Sequence, residues 1–229
     1  MAEVEAEKSE AVAPAATVVV LRNTRAGFEL LLVQRASELA FHGGAWVFPG
    51  GRVDAADRRE ATDEIELARR AAVREASEEA GLLLSPQSLL PIAHWTTPKG
   101  RARRFATWFF LAESTDGAVE VDGHEIKRHR WISPAAALSL QAAGELVLPV
   151  PTFVTVARLS GYRDAASALE AAAAREPEVF DPRPRSVSGG TCSLYAGDAA
   201  YTGGDLDLPG PRHRLWMLEQ GWRYEWNGL

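Results

Sequence analysis

Between residues 16 and 36 two apolar runs, ATVVVL and FELLLVQR, flank the polar stretch RNTRAG. β-branched and leucine-rich runs of this length, joined by turn residues, predict a pair of strands. AWVFPGG adds a short buried strand ending at Gly50-Gly51, where the backbone can take dihedrals closed to other residues. After the polar segment VDAADRREATDE, the stretch Glu64 to Ala80 is dense in Ala, Leu, Glu and Arg and predicts a helix, with Gly81 in the C-cap position. Three further strands are expected at LLPIAHWTT, RFATWFFLA and EIKRHRWIS. SPAAALSLQAAG reads as a helix with Ser133 as N-cap and Pro134 at its first position. Two more helices follow in TFVTVARLSGY and DAASALEAAAARE. From Asp181 the chain turns to Pro, Gly, Ser and Asp, with Trp216, Trp222 and Trp226 near its end, which a small strand pair would pack against the body. The alternation predicts an α/β domain over residues 16–160, preceded by a disordered acidic tail, 1–15, and followed by an extension, 161–229, packing on the domain.

Composition narrows the setting. The chain of 229 residues is long enough for one sizeable core. Cys192 is its single cysteine, so no intrachain disulfide can form, and a reducing, cytoplasmic compartment is expected. No apolar run approaches the ~20 residues that span a bilayer. The start, MAEVEAEKSEAVAPAA, lacks the basic head and apolar core of a secretory signal. No membrane partner is expected. A net charge of −6 argues against nucleic acid as partner, but a small anionic substrate stays open because a bound divalent cation inverts the local field.

The helix carries the chemistry. Its segment REASEEAG, from Arg74 to Gly81, sets Glu75, Glu78 and Glu79 within one turn, in an arc of roughly 100°. Like charges at this spacing repel by roughly 0.2–0.5 kcal/mol per pair on an exposed helix. A solvated acidic face is one reading. Three features favour a site instead. Arg74 can hold carboxylates in fixed geometry, and Ile65, Ala68 and Ala72 give the helix an apolar side to pack. The upstream Gly-Gly turn lets a backbone carbonyl approach a ligand. Oxygen ligands of this kind suit Mg²⁺ or Mn²⁺.

These residues resemble the Nudix hydrolases, whose box is written G-x5-E-x7-R-E-U-x-E-E-x-G-U, with U aliphatic. Glu66, seven residues and then REASEEAGL follow the box through Leu82, with Ala76 a small stand-in for the first aliphatic. FPGG precedes it, but fourteen residues separate Gly51 from Glu66 where the box has five. The resemblance implies a Nudix-type α/β/α sandwich with a mixed β-sheet, and metal-dependent cleavage of a nucleoside diphosphate linked to another group. It implies that Glu75, Glu78 and Glu79 hold Mg²⁺ or Mn²⁺ with the Gly50 carbonyl, that Arg74 orients the carboxylates and that Glu66 supports Arg74. The catalytic set is then Glu79, Glu78, Arg74 and Glu125, with Glu79 or Glu125 as the base that takes a proton from water.

LLVQRASELAFHGGAWVFPGG resembles the coenzyme A diphosphatase branch in Leu31, Leu32, Arg35, Ala36 and Gly44. Val33 stands where Thr is usual, and Ala40 replaces a second Arg. Arg35 is the expected substrate-binding residue, together with Arg104, which opens an apolar strand in one of two basic clusters. His42 and His94 are left out of the metal shell. The expected partner is a small-molecule nucleoside diphosphate derivative: coenzyme A or acyl-CoA, split to 3′,5′-ADP and (acyl-)phosphopantetheine. ADP-ribose, NADH or capped RNA as substrates, and a non-catalytic nucleotide sensor, are the alternatives. The terminal tryptophans supply packing or a homodimer contact.

Overall fold

The computed structural model describes residues 12–38, 42–58, 63–114 and 118–227. Ala40 and residues 1–11 of the acidic tail lie outside the described residues. The chain runs β1 Val12–Thr24, β2 Gly27–Arg35, β3 Trp46–Val47, β4 Gly50–Arg52, α1 Glu64–Ala80, β5 Leu90–Thr96, β6 Arg104–Glu113, β7 Ile126–Ile132, α2 Pro134–Ala142, α3 Val150–Leu159, α4 Ala165–Ala173, and then β8 Glu178–Phe180, β9 Arg183–Val187, β10 Gly190–Leu194, β11 His213–Leu218 and β12 Gly221–Trp226.

β1 reaches further back than its apolar run. Parallel pairing with β6 runs from Val12 opposite Arg104 to Leu21 opposite Glu113, and this ladder draws residues 12–15 into the strand. The main sheet has the order β3-β2-β1-β6-β5-β8, with β4 also on β1 and β7 also on β2. β1–β6 and β5–β8 are parallel, and the other pairs are antiparallel, so the sheet is mixed as expected.

Alternation along β1 builds both faces of this sheet. Val18 and Val20 pack under α1 with Leu31, Val33 and Phe110. Val19 and Leu21 face the opposite layer with Leu30, Leu32 and Phe109. α1 meets its face through Ala68, Ala71, Ala72, Ala76 and Ala80, all buried, and small side chains let the helix lie close to the strands. Asp63 caps its first turn by accepting from the Ile65 N–H, and Gly81 ends it in the left-handed conformation.

Ser133 caps α2 as expected, accepting from the Ala136 N–H. The segment after residue 160 adds more sheet than a strand pair. β8 extends the main sheet alongside β5, and β12-β11-β10-β9 form a second, four-stranded sheet. EVF is only three residues long, and RPRSV and GTCSL carry Pro, Ser or Gly, so the ladder rather than local propensity makes them strands. Phe180, Tyr195 and Leu215 of this region share one core with Trp95 and Phe153. Trp222 packs edge-on against Phe153 at 5.2 Å. Inside the second sheet, Arg214 forms a buried two-pronged pair with Asp198, at 2.7 and 2.6 Å.

Candidate active site

α1, β4, the start of β7 and the end of β2 deliver the site. Gly50 pairs with Thr17 of β1, and a Cβ on Gly50 would meet Ala16 O at 2.4 Å. A Cβ on Gly51 would meet Glu75 Oε1 at 2.2 Å. The two glycines therefore let β4 lie against β1 while the Glu75 carboxylate lies against β4.

The three glutamates of α1 occupy three environments. Glu78 is exposed, Glu75 is partly buried, and Glu79 is 5% exposed. Glu79 Oε2 accepts from the Gly50 N–H at 2.9 Å. Burial pushes the Glu79 carboxyl up to about 8, and the nearby Glu75 and Glu125 charges add to the shift, while the Gly50 N–H and Arg35 oppose it. Burial also raises Glu75, against the pull of Arg74.

Two arginines hold this charge. Arg74 Nη1 donates to Glu75 Oε1 and Glu78 Oε2, each at 3.0 Å. Its other edge donates from Nε to Asp57 Oδ1 at 3.1 Å and from Nη2 to Asp57 Oδ2 at 3.0 Å. These bonds, the Asp57 bond foremost, raise the guanidinium above its ordinary range, so it stays charged throughout. Arg35 lies 3.9 Å from Glu79 Oε1 and 3.9 Å from Glu125 Oε2.

Glu75, Glu78 and Arg74 thus form one group and Glu79, Arg35 and Glu125 a second, joined through Gly50 and Gly51. Arg104 stands apart, its Nε donating to Thr97 O at 3.1 Å. Thr17 pairs with both Gly50 and Phe109, which puts Arg104 five strand residues from that level, or roughly 16 Å at 3.3 Å per residue. Glu66 does not join Arg74 but meets Arg70 at 3.4 Å and Arg69 at 3.9 Å, one turn onward on its own side of α1. The sequence reading missed Asp57, which lies in a segment taken only as polar linker. Its signal was an acid pair three residues apart, Asp54 and Asp57, directly after FPGG and Arg52.

Among the described residues no three His, Cys, Asp or Glu side chains close into a ready metal cage. The donor set still fits a hard divalent cation: carboxylate oxygens around a side-chain-free turn, with Glu79 raised by burial and, less, by its carboxylate neighbours. Gly50 meets Glu79 through its N–H.

The described helices include none long and apolar enough to cross a membrane. Residues 12–150 match the family described as NUDIX domain. A Caenorhabditis elegans relative, "Putative nudix hydrolase 7", is 26% identical over 186 residues, 66% of this chain and 61% of its own length. The human "Acyl-coenzyme A diphosphatase NUDT19" is 28% identical over an alignment that covers 59% of this chain and 61% of its own. The chain thus spans about three fifths of the length of these relatives. Among solved structures, a NUDIX hydrolase from Alicyclobacillus acidocaldarius superposes with a TM-score of 0.63 at 24% identity, covering 71% of this chain and 97% of that one. The NUDIX domain of Shewanella oneidensis NrtR, solved with ADP ribose, gives 0.50 at 17% identity, covering 68% of this chain and 92% of that one. Both likenesses are of fold. With the family match running through the main sheet and the glutamate helix, the chain belongs to the Nudix family.

Proposed function

We propose that this protein is a metal-dependent hydrolase that cleaves the diphosphate of a nucleoside diphosphate linked to another moiety, with coenzyme A or an acyl-CoA as its substrate. The observation that carries the reading is Arg74 Nη1 tying Glu75 and Glu78 beside the Gly50-Gly51 turn, with Glu79 buried behind it. Glu75, Glu78 and Glu79, with the Gly50 carbonyl, would hold Mg²⁺ or Mn²⁺. Bound there, such an ion neutralises diphosphate oxygens and lowers the pKa of an attacking water.

The residues of this chain do the rest. Glu79 or Glu125 takes the water's proton, as both lie beside the same guanidinium of Arg35. The water oxygen forms a bond to phosphorus, the bridging P–O bond breaks, and its electron pair leaves with the departing phosphate. Arg35 places positive charge where that negative charge grows. Arg104, about 16 Å along the sheet by strand rise, suits the far part of a long substrate rather than its diphosphate.

Support for the coenzyme A branch comes from the Leu31 to Gly51 pattern and from the name of the human relative. Val33, a departure from that pattern, is fully buried against the α1 face, so it alters the core and not a ligand contact. Cys192, a buried free thiol, fits a cytoplasmic setting.

A second reading is nucleotide binding without turnover, against which the intact set of Glu75, Glu78 and Glu79 argues. Incubation with Mg²⁺ and a panel of coenzyme A, acetyl-CoA, ADP-ribose, NADH and capped RNA, with products weighed by mass spectrometry, decides between them. Release of 3′,5′-ADP from coenzyme A supports the proposal. Binding with no product from any of the panel favours the sensor.

A further inference from the structure

Arg74 uses every N–H donor that it has. One goes from Nε to Asp57 Oδ1, two from Nη2 to Asp57 Oδ2 and Arg52 O, and two from Nη1 to Glu75 and Glu78. A guanidinium is planar and rigid, so fixing one edge fixes the direction of the other. The fixed edge is the Asp57 edge. Asp57 is 5% exposed, and the loop around it is closed by its own bonds. The Asp54 N–H donates to Asp57 Oδ2 at 2.9 Å, while Asp54 Oδ1 accepts from the N–H groups of Ala56 and Asp57 at 2.8 and 3.3 Å. Glu78, at the other edge, is exposed, and among the described residues no comparable loop supports it.

We propose that Asp57 is a positioning residue: acting through Arg74, it sets the Glu75 and Glu78 carboxylates for the cation. The long segment between Gly51 and Glu66 supplies it, and so takes over the supporting part that Glu66, turned to Arg69 and Arg70, does not play. This rests on the proposed metal-dependent reading of the site. Asp57 does not touch the reacting atoms. Its contribution is the orientation of the groups that do.

The test titrates Mn²⁺ alone into the full chain, with free Mn²⁺ read by electron paramagnetic resonance, and measures kcat on coenzyme A separately. Asp57→Asn keeps the side chain's size and its acceptor for the Asp54 N–H but removes the charge facing Arg74. Loss of an outer partner of metal ligands typically costs about 10–100-fold in affinity or activity, and a loss in that range is expected for Mn²⁺ binding. Glu66→Gln should lose less. Because Asp57 acts through Arg74, the double variant Asp57→Asn, Arg74→Gln should bind Mn²⁺ no worse than Arg74→Gln alone.

Wild-type Mn²⁺ affinity in Asp57→Asn, or losses that add in the double variant, would overturn the proposal, as would a loss in Glu66→Gln as large as in Asp57→Asn. If Asp57→Asn does not fold, the comparison of Arg74→Gln with the double variant still decides, since the double removes both members of the partly buried pair. The Mn²⁺ titration needs no substrate. A protein whose Mn²⁺ affinity depends on Asp57 but which cleaves nothing loses the proposed function and keeps the clamp. A wild type that binds no Mn²⁺ loses both.

Discussion

Arg35 Nη1 lies 3.9 Å from Oε1 of Glu79, a carboxylate 5% exposed and flanked by Glu75 and Glu125. Here Arg35 faces the carboxylates of Glu79 and Glu125 while Arg74 serves Glu75 and Glu78, and burial is what chiefly raises Glu79, the most buried of the glutamates. Glu79→Gln removes a charge without changing shape, and its side-chain oxygen can still accept from the Gly50 N–H. Turnover should fall by about 10²–10⁴ if Glu79 is the base, and by less if Glu125 is. In chelator the variant's melting temperature should equal or exceed that of the wild type. Near-normal kcat at saturating Mg²⁺ would sink the proposed site.

The same residue gives a pH dependence with a definite sign. An unfolded Glu79 titrates at its ordinary 4.5, and the folded one at about 8. Between these values the folded chain holds the extra proton, so stability contributed by Glu79 falls as pH rises through this window and levels off above it. Thermal melts in EDTA from pH 5 to 9 should show this fall, and added Mg²⁺ should flatten it by giving the ionised carboxylate a partner. Activity should vanish in EDTA, return with Mg²⁺ or Mn²⁺, and rise toward alkaline pH. Full turnover in chelator would reject the mechanism.

Gly51 separates the demands of fold and site. Its φ is not in the left-handed region, and the atom a Cβ would strike is the Glu75 carboxylate, the end of a flexible side chain. Gly51→Ala should therefore fold while pushing that carboxylate away from β4. A drop of about 10–100-fold in activity is expected, with Mg²⁺ required at higher concentration. Gly50→Ala is the contrast, because its clash is with the backbone of β1 and should lower the melting temperature as well. An active Gly51→Ala with unchanged Mg²⁺ demand would mean that Glu75 is not a ligand.

The dense Ala, Leu, Glu and Arg run and the Gly81 cap made α1 legible, and Asp63, which the sequence reading did not single out, closes its other end. The centres of β1, β2 and β6 were clear, because each carries an apolar run buried on both faces, whereas the start of β1 owes its shape to pairing with β6. The four-stranded sheet after residue 180 was legible only as late aromatics, for its strands gain their shape from neighbours far along the chain. Within the candidate site, Glu75, Glu78, Glu79 and Arg74 stood out in the sequence because helix spacing and the box agree. Asp57 did not, because a loop has no period and only the folded chain shows that it meets Arg74. The differing burial of three adjacent-looking glutamates was also hidden, as it depends on β4 covering Glu79 and leaving Glu78 in water.

Arg35 also offers a test of the proposed substrate. It lies beside both Glu79 and Glu125, so a phosphate oxygen that met it would sit at the carboxylates proposed for catalysis. An enzyme reading just adenosine and diphosphate should treat ADP-ribose, NADH and coenzyme A alike in kcat/KM. One that also binds the pantetheine arm or the 3′-phosphate can use that binding energy in the transition state and discriminate. Coenzyme A should therefore be preferred, with cleavage yielding 3′,5′-ADP and phosphopantetheine. Arg35→Ala should lower kcat/KM for all three by removing charge at the diphosphate, and lower it most for coenzyme A if the guanidinium also serves the 3′-phosphate. Removing one charged partner of a phosphate costs about 1.5–3 kcal/mol, which is roughly 10–150-fold. Equal kcat/KM values for the three substrates, with no change of rank in Arg35→Ala, would retire coenzyme A as the substrate and leave a general diphosphate hydrolase standing.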